Sequence, residues 1–190
     1  MQIGFFDSGI GGLTVLHQAK RAMPQEDYLY YADTDHVPYG RKTKEEIKQY
    51  VQEAVDFIAE QGVKALVVAC NTATSVAIKD LRARYSFPIL GMEPAVKPAV
   101  NDTHCTKRIL VTATPVTIRE EKLQNLLHQV DQHHQVDLLP LPRLVEFAEQ
   151  GNFTDGQAEA YLRETLSAFD LAQYCTVVLG CTPVSYTHLR

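Results

Sequence analysis

The chain has 190 residues, 45% hydrophobic and 22% charged, with a formal net charge of −5. That balance suits a globular protein with a sizeable core and excludes disordered and fibrous classes. No Lys/Arg cluster exceeds a dipeptide, so neither a nucleic-acid surface nor an electrostatic membrane contact is expected.

The opening stretch MQIGFFDSGIGG has no basic region and too short an apolar run for a signal peptide. Nowhere do about 18 apolar residues run together, so the chain reads as cytoplasmic. In a reducing compartment the four cysteines, Cys70, Cys105, Cys175 and Cys181, are expected as free thiols, because no CxxC pair or zinc-type spacing appears. His133 and His134 read as a solvated loop, and no metal is expected.

In chain order the periodicity predicts a strand over Ile3–Phe6, a helix over Leu13–Ala22, a strand over Tyr28–Ala32 and a helix over Lys44–Gln61. Next come a strand over Lys64–Cys70, a helix over Ser75–Tyr85 and a strand over Pro88–Gly91. For the long helix, Thr43 and Glu46 fit a capping box, and Ile47, Tyr50, Val51, Ala54 and Ile58 form one apolar stripe ended by Gly62. After the proline-punctuated GMEPAVKP, a second alternation begins: strand Arg108–Thr112, helix Thr117–Val130 and strand Val136–Leu139. Helices near Leu144–Gln150 and Asp155–Phe169 and a strand over Thr176–Gly180 complete it. Strand alternating with helix predicts an α/β fold of two doubly wound parallel-sheet domains over residues 1–95 and 96–190.

Chemistry collects where strands end, the edge at which open α/β sheets bind ligands. ALVVACNTAT, residues 65 to 74, brings Cys70, Asn71 and Thr72 there, with Thr72 or Thr74 and Ser75 as caps of the next helix. A thiol beside that helix N-terminus is expected to be stabilised as thiolate, a useful base near neutral pH. TVVLGCT, residues 176 to 182, repeats the pattern with Cys181 and Thr182, whereas Cys105 and Cys175 read as structural. FDSGIGGLTV brings Asp7 and Ser8, either capping the helix or facing a ligand, before Gly9, Gly11 and Gly12, which are read as a turn needing positive φ. It is an incomplete dinucleotide fingerprint, since Thr14 stands where glycine or alanine belongs, although Asp33 falls roughly where a ribose-binding acid would. DTDHVPYG adds Tyr39 and Gly40, and VTATPVT adds Thr112, Thr114 and Thr117, of which capping explains one and the others suit a carboxylate.

Six segments in this order, IGFFDSGIGGLTV, YYADTDHVPYG, ALVVACNTAT, GMEPAVKPA, VTATPVT and VVLGCT, resemble the glutamate racemases of the aspartate/glutamate racemase superfamily. The resemblance implies a cofactor-independent enzyme that interconverts L- and D-glutamate and supplies D-glutamate for peptidoglycan. It implies two α/β domains that clasp the substrate, with one cysteine acting on each face of its α-carbon. Cys70 would act on D-glutamate with Asp7 assisting, and Cys181 on L-glutamate. Ser8, Tyr39, Gly40, Asn71, Thr72, Thr114 and Thr182 would hold the amino and carboxylate groups. Homodimers are common in the family.

The resemblance breaks after Thr182, where the family pattern has histidine and this chain has Pro183. That histidine is expected to assist the second cysteine. The family chain normally runs on to complete the first domain, so the resemblance implies a truncated chain, its second half incomplete and apolar surface of the first domain left uncovered, and VSYTHLR reads as foreign to the gene. A sister racemase for aspartate and a non-catalytic amino-acid-binding fragment are the alternative readings.

Overall fold

The computed structural model describes residues 1–104, 106–152 and 155–184. The chain divides into two compact units, Met1–Glu93 and Pro94–Arg190.

In the first unit β1 (Ile3–Asp7), α1 (Leu13–Ala22), β2 (Tyr28–Ala32), α2 (Lys44–Glu60), β3 (Ala65–Val68), α3 (Asn71–Arg84) and β4 (Ile89–Gly91) follow one another. The strands form one parallel sheet in the order β2-β1-β3-β4, with Ile3 in register with both Tyr28 and Ala65. The central strand β1 is buried along its whole length, while edge strand β2 is half-buried. From β1 the chain passes to β2 on one side and then crosses to β3 on the other. The strand order therefore reverses between β1 and β3, the point at which such sheets open a crevice at their carboxyl ends.

α2 holds the sheet from one face. Ile47, Val51, Ala54, Val55 and Ile58 are buried, and Tyr50 of the expected stripe is half-buried. The capping box is present: Glu46 N–H donates to Thr43 Oγ1 at 3.2 Å, and Thr43 N–H donates to Glu46 Oε2 at 2.7 Å. Thr43→Ala removes one acceptor for the orphan amides of the first turn. We expect it to lower stability by about 1 kcal/mol, read as a fall in the urea midpoint at constant m-value.

The second unit contains α4 (Val96–Val100), β5 (Arg108–Ala113), α5 (Pro115–Arg119), α6 (Glu121–Val130), β6 (Val136–Pro140), α7 (Pro142–Glu149), α8 (Gln157–Leu166) and β7 (Tyr174–Leu179). Its parallel sheet has the order β6-β5-β7, so the order reverses between β5 and β7. The period-2 alternation of β5 serves two cores. Ile109 and Val111 pack with Val96, Leu123 and Val178, and Leu110 packs with Leu139, Leu144, Phe147, Cys181 and Val184.

Three element readings change. α4 begins within the proline-punctuated stretch at the domain join, where no element is expected, and it tolerates Pro98 because the proline falls in the first turn, where its missing N–H has no helical partner. The single helix expected over 117–130 is two, because Thr114 caps a helix that begins at Pro115 and Glu120 is extended at ψ 138°. α3 begins at Asn71 rather than Ser75, with Cys70 as its cap. The segment read as foreign, VSYTHLR, spans 184–190; Val184 is buried in the second core and 185–190 lie outside the described residues. Among the described residues no helix is long and apolar enough to cross a membrane, and no group of three His, Cys, Asp or Glu could hold a metal ion.

Candidate active site

In the first unit the reversal point between β1 and β3 collects most of the polar residues singled out in the sequence. β1 ends at Asp7, which is fully buried, and its Oδ2 accepts the Gly9 N–H at 3.1 Å. This is a local Asx turn. It does not cap α1, whose N-cap is Gly12 with no side-chain cap bond. The turn also departs from the expected left-handed glycines: Gly12 has φ −63°, and the positive-φ glycines of the described residues are Gly62, Gly151 and Gly156. Glycine is required at 12 for closeness instead. A Cβ there would lie 2.6 Å from Asp7 Cβ and 3.0 Å from Tyr30 Oη. Tyr30 donates to Gly9 O at 2.7 Å and pins the same turn from β2.

Opposite this turn, β3 stops at Val68 and α3 starts three residues later. Cys70 Sγ accepts the Ala73 N–H at 3.4 Å and lies 3.3 Å from Ser8 Oγ. Thr74 and Ser75 do not cap the helix from outside. They bond backward, Thr74 Oγ1 to Val68 O at 3.1 Å and Ser75 Oγ to Thr72 O at 2.8 Å. Asn71 and Thr72 are buried in the first turn, and Asn71 Oδ1 is an acceptor with no hydrogen-bond partner among the described residues. Such a group is costly unless something else donates to it.

The thiol does not behave as the sequence suggested. Burial, and next the negative charge of Asp7, push Cys70 up from 9.0 to about 11, against the smaller opposing effects of the Ser8 and Ala73 hydrogen bonds. One weak cap bond at a helix N-terminus does not offset complete desolvation beside a carboxylate. The free protein therefore holds Cys70 as a thiol. Because the folded state favours the protonated form, this contribution to stability is complete below pH 9 and is lost as pH rises toward 11. Wild type should lose roughly 2–3 kcal/mol more than Cys70→Ala between those limits, measured by urea melts at each pH.

Tyr39 and Gly40 stand on the turn Tyr39–Arg41 that follows β2. Tyr39 is 2% exposed, and its phenol is pushed well above its usual range by burial, by its hydrogen bond to Asp33 and by the charges of Asp33, Cys70 and Asp7. Its hydroxyl donates to Asp33 Oδ2 at 2.6 Å. In the sequence Asp33 reads only as a ribose-type acid, without its partners His36 and Tyr39. The spacing of Asp33, His36 and Tyr39 in one loop was the available signal.

In the second unit the corresponding reversal point carries Thr114 after β5 and Cys181 and Thr182 after β7. Cys181 is buried and stands outside any disulfide. Gly180 brings it there: its N–H donates to Thr112 O at 2.6 Å, and a Cβ at 180 would meet that oxygen at 2.5 Å. The threonines already have partners. Thr114 Oγ1 caps α5 by accepting the Thr117 N–H at 3.1 Å, the two hydroxyls lie 3.0 Å apart, and Thr112 donates to Val178 O at 3.1 Å. Cys175 is disulfide-bonded, which corrects the expectation of four free thiols, and Cys105 lies outside the described residues.

Each unit thus presents one buried cysteine thiol, outside any disulfide, at the reversal point of its own sheet. The Asp/Glu/Hydantoin racemase family matches residues 13–188. Glutamate racemase 2 of Bacillus subtilis is 57% identical over 183 residues, covering 96% of this chain and 69% of that protein. The crystal structure of glutamate racemase from Campylobacter jejuni superposes with a TM-score of 0.86 at 32% identity, over 99% of this chain and 75% of that one. Escherichia coli glutamate racemase, in complex with L-glutamate and the activator UDP-MurNAc-ala, gives 0.87 at 30% identity, over 98% and 71% of the two chains.

Proposed function

We propose, from the premise that this chain belongs to the Asp/Glu/Hydantoin racemase family, that Cys70 and Cys181 are the two acid–base groups of a glutamate racemase. The enzyme is an isomerase acting on a small amino acid, and its product D-glutamate serves peptidoglycan synthesis. The observation that carries the assignment is the setting of Cys70: a buried thiol at the start of α3, within reach of Ser8 and electrostatically coupled to Asp7.

In the L-to-D direction, the Cys181 thiolate takes the α-proton and its sulfur becomes a thiol. The electron pair left on the α-carbon then takes the proton of the Cys70 S–H on the opposite face, leaving Cys70 as thiolate. The resting thiol of Cys70 is the form this direction needs. In the D-to-L direction Cys70 must first be a thiolate. The substrate ammonium supplies the positive charge that favours it, offsetting the repulsion from Asp7. Asn71 Oδ1, buried and without a donor among the described residues, suits that ammonium, and the Ser8 and Thr72 hydroxyls suit the adjoining carboxylate. Tyr39, Gly40, Thr114 and Thr182 complete the proposed substrate contacts. We place the enzyme in the cytoplasm, and a homodimer is the assembly proposed from the family.

The test is α-proton exchange in heavy water, followed by NMR with each enantiomer separately. Exchange of both supports two working bases. Absence of exchange with either, in a folded sample, overturns the assignment. Pro183 adds a direction to the result, because the family histidine that assists the second cysteine is not there. Exchange from L-glutamate is expected to be slower than from D-glutamate by roughly a hundredfold, the scale of one lost acid–base group, and Pro183→His is expected to narrow the gap.

A further inference from the structure

Next to the cysteine site of the first unit lies a cluster that the proton transfers do not use. Asp33 is 7% exposed, and each of its carboxylate oxygens has its own donor. Tyr39 Oη donates to Oδ2 at 2.6 Å, and His36 Nδ1 lies 2.7 Å from Oδ1. A carboxylate only accepts, so that nitrogen carries the proton. The His36 ring lies flat on Tyr50 of α2, with centroids 3.7 Å apart and planes 12° apart. Asp33 is also tied to the neighbouring strand, its N–H donating to Asp7 O at 3.0 Å. On the inner side the Tyr39 ring packs near Phe6, centroids 6.5 Å apart, and its turn packs against α3.

We propose that Asp33 is a positioning residue: by holding the buried Tyr39 hydroxyl, with His36 on its other oxygen, it fixes the turn at Pro38–Arg41 against the helix that presents Cys70, Asn71 and Thr72. A phenol at 2% exposure has no water to turn to if its acceptor is lost. Tyr39 must then shift, and the turn shifts with it. The substrate contacts loosen while both thiols keep their chemistry, so the cost falls on binding rather than on proton transfer. An asparagine at 33 has one acceptor oxygen, so it can keep Tyr39 or His36 as a donor but not both, and keeping Tyr39 forces the His36 ring into the tautomer whose Nδ1 accepts.

The kinetic consequence rests on the glutamate racemase reading, so the experiment has two arms. In the first, kcat and KM for D-glutamate are measured for wild type, Asp33→Asn, Tyr39→Phe and the double variant. Each single variant is expected to raise KM about tenfold with kcat within about threefold, and the double variant to be no worse than the poorer single. Losses that multiply in the double variant, or a loss confined to kcat, overturn the proposal.

The second arm needs no activity: the rate at which iodoacetamide labels the peptide carrying Cys70. In wild type this thiol is 4% exposed. Asp33→Asn and Tyr39→Phe are each expected to speed labelling about tenfold, again without further gain in the double variant. Unchanged labelling in both variants overturns the proposal. If wild type exchanges neither enantiomer but the labelling pattern appears, the positioning role stands and the glutamate assignment fails.

Discussion

Cys70→Ser is expected to reduce α-proton exchange from D-glutamate by roughly a hundred- to ten-thousandfold while leaving the protein folded. The two halves of that expectation have different causes. Serine is a better helix cap than cysteine, and its oxygen accepts the Ala73 N–H that Cys70 Sγ holds at 3.4 Å. Stability should therefore hold within about 1 kcal/mol. The hydroxyl, however, is a far weaker acid than a thiol and cannot reach the anionic form the D-to-L direction requires. D-glutamate binding, read as a rise in melting temperature with added ligand, should survive, because Asp7, Ser8, Asn71 and Thr72 are untouched. A Cys70→Ser protein that still exchanges D-glutamate at the wild-type rate would remove the cysteine from the mechanism.

Gly12→Ala is expected to be far more damaging than Gly62→Ala, although Gly62 is the one with φ +72° and Gly12 has an ordinary helical φ. At position 62 an added methyl meets nothing within 4 Å, so only the left-handed backbone is strained, at about 1 kcal/mol. At position 12 it would sit 2.6 Å from Asp7 Cβ and 3.1 Å from Asp7 Cγ. Those atoms are anchored to a fully buried central strand and cannot swing aside. The cost should reach roughly 2–3 kcal/mol. Because the relief available is a displacement of the Asp7 carboxylate, exchange should fall with it. Equal melting temperatures for the two variants would show that the turn at residues 8–12 yields more readily than its packing indicates.

The contrast between these glycines marks a limit of reading the chain alone. DSGIGG looked like a turn that needs unusual backbone angles, whereas the structure needs the missing side chains, and close approach between segments distant in space leaves no local signature. Gly180 makes the same point, since its constraint is the Thr112 carbonyl, 68 positions away in the chain (180 − 112). Cys70 is a third case. Its position at a helix N-terminus was legible and argued for a thiolate. Only the packed structure put it in full burial beside Asp7, where desolvation outweighs one cap bond.

What the sequence determined by itself was the alternation of apolar runs and amphipathic stripes, the capping box at Thr43 and Glu46, and the polar residues gathered after strands. These are set by residues within a few positions of one another, where the periods of 2 and 3.6 and the chemistry of a cap suffice. What only the tertiary structure decided was the strand order that reverses beside each cysteine, the start of α3 at Asn71, the protonation of Cys70, and the joining of Asp33 to both His36 and Tyr39. Each of these depends on which strand lies next to which and on how much water remains there, and both are fixed by packing across the whole sheet.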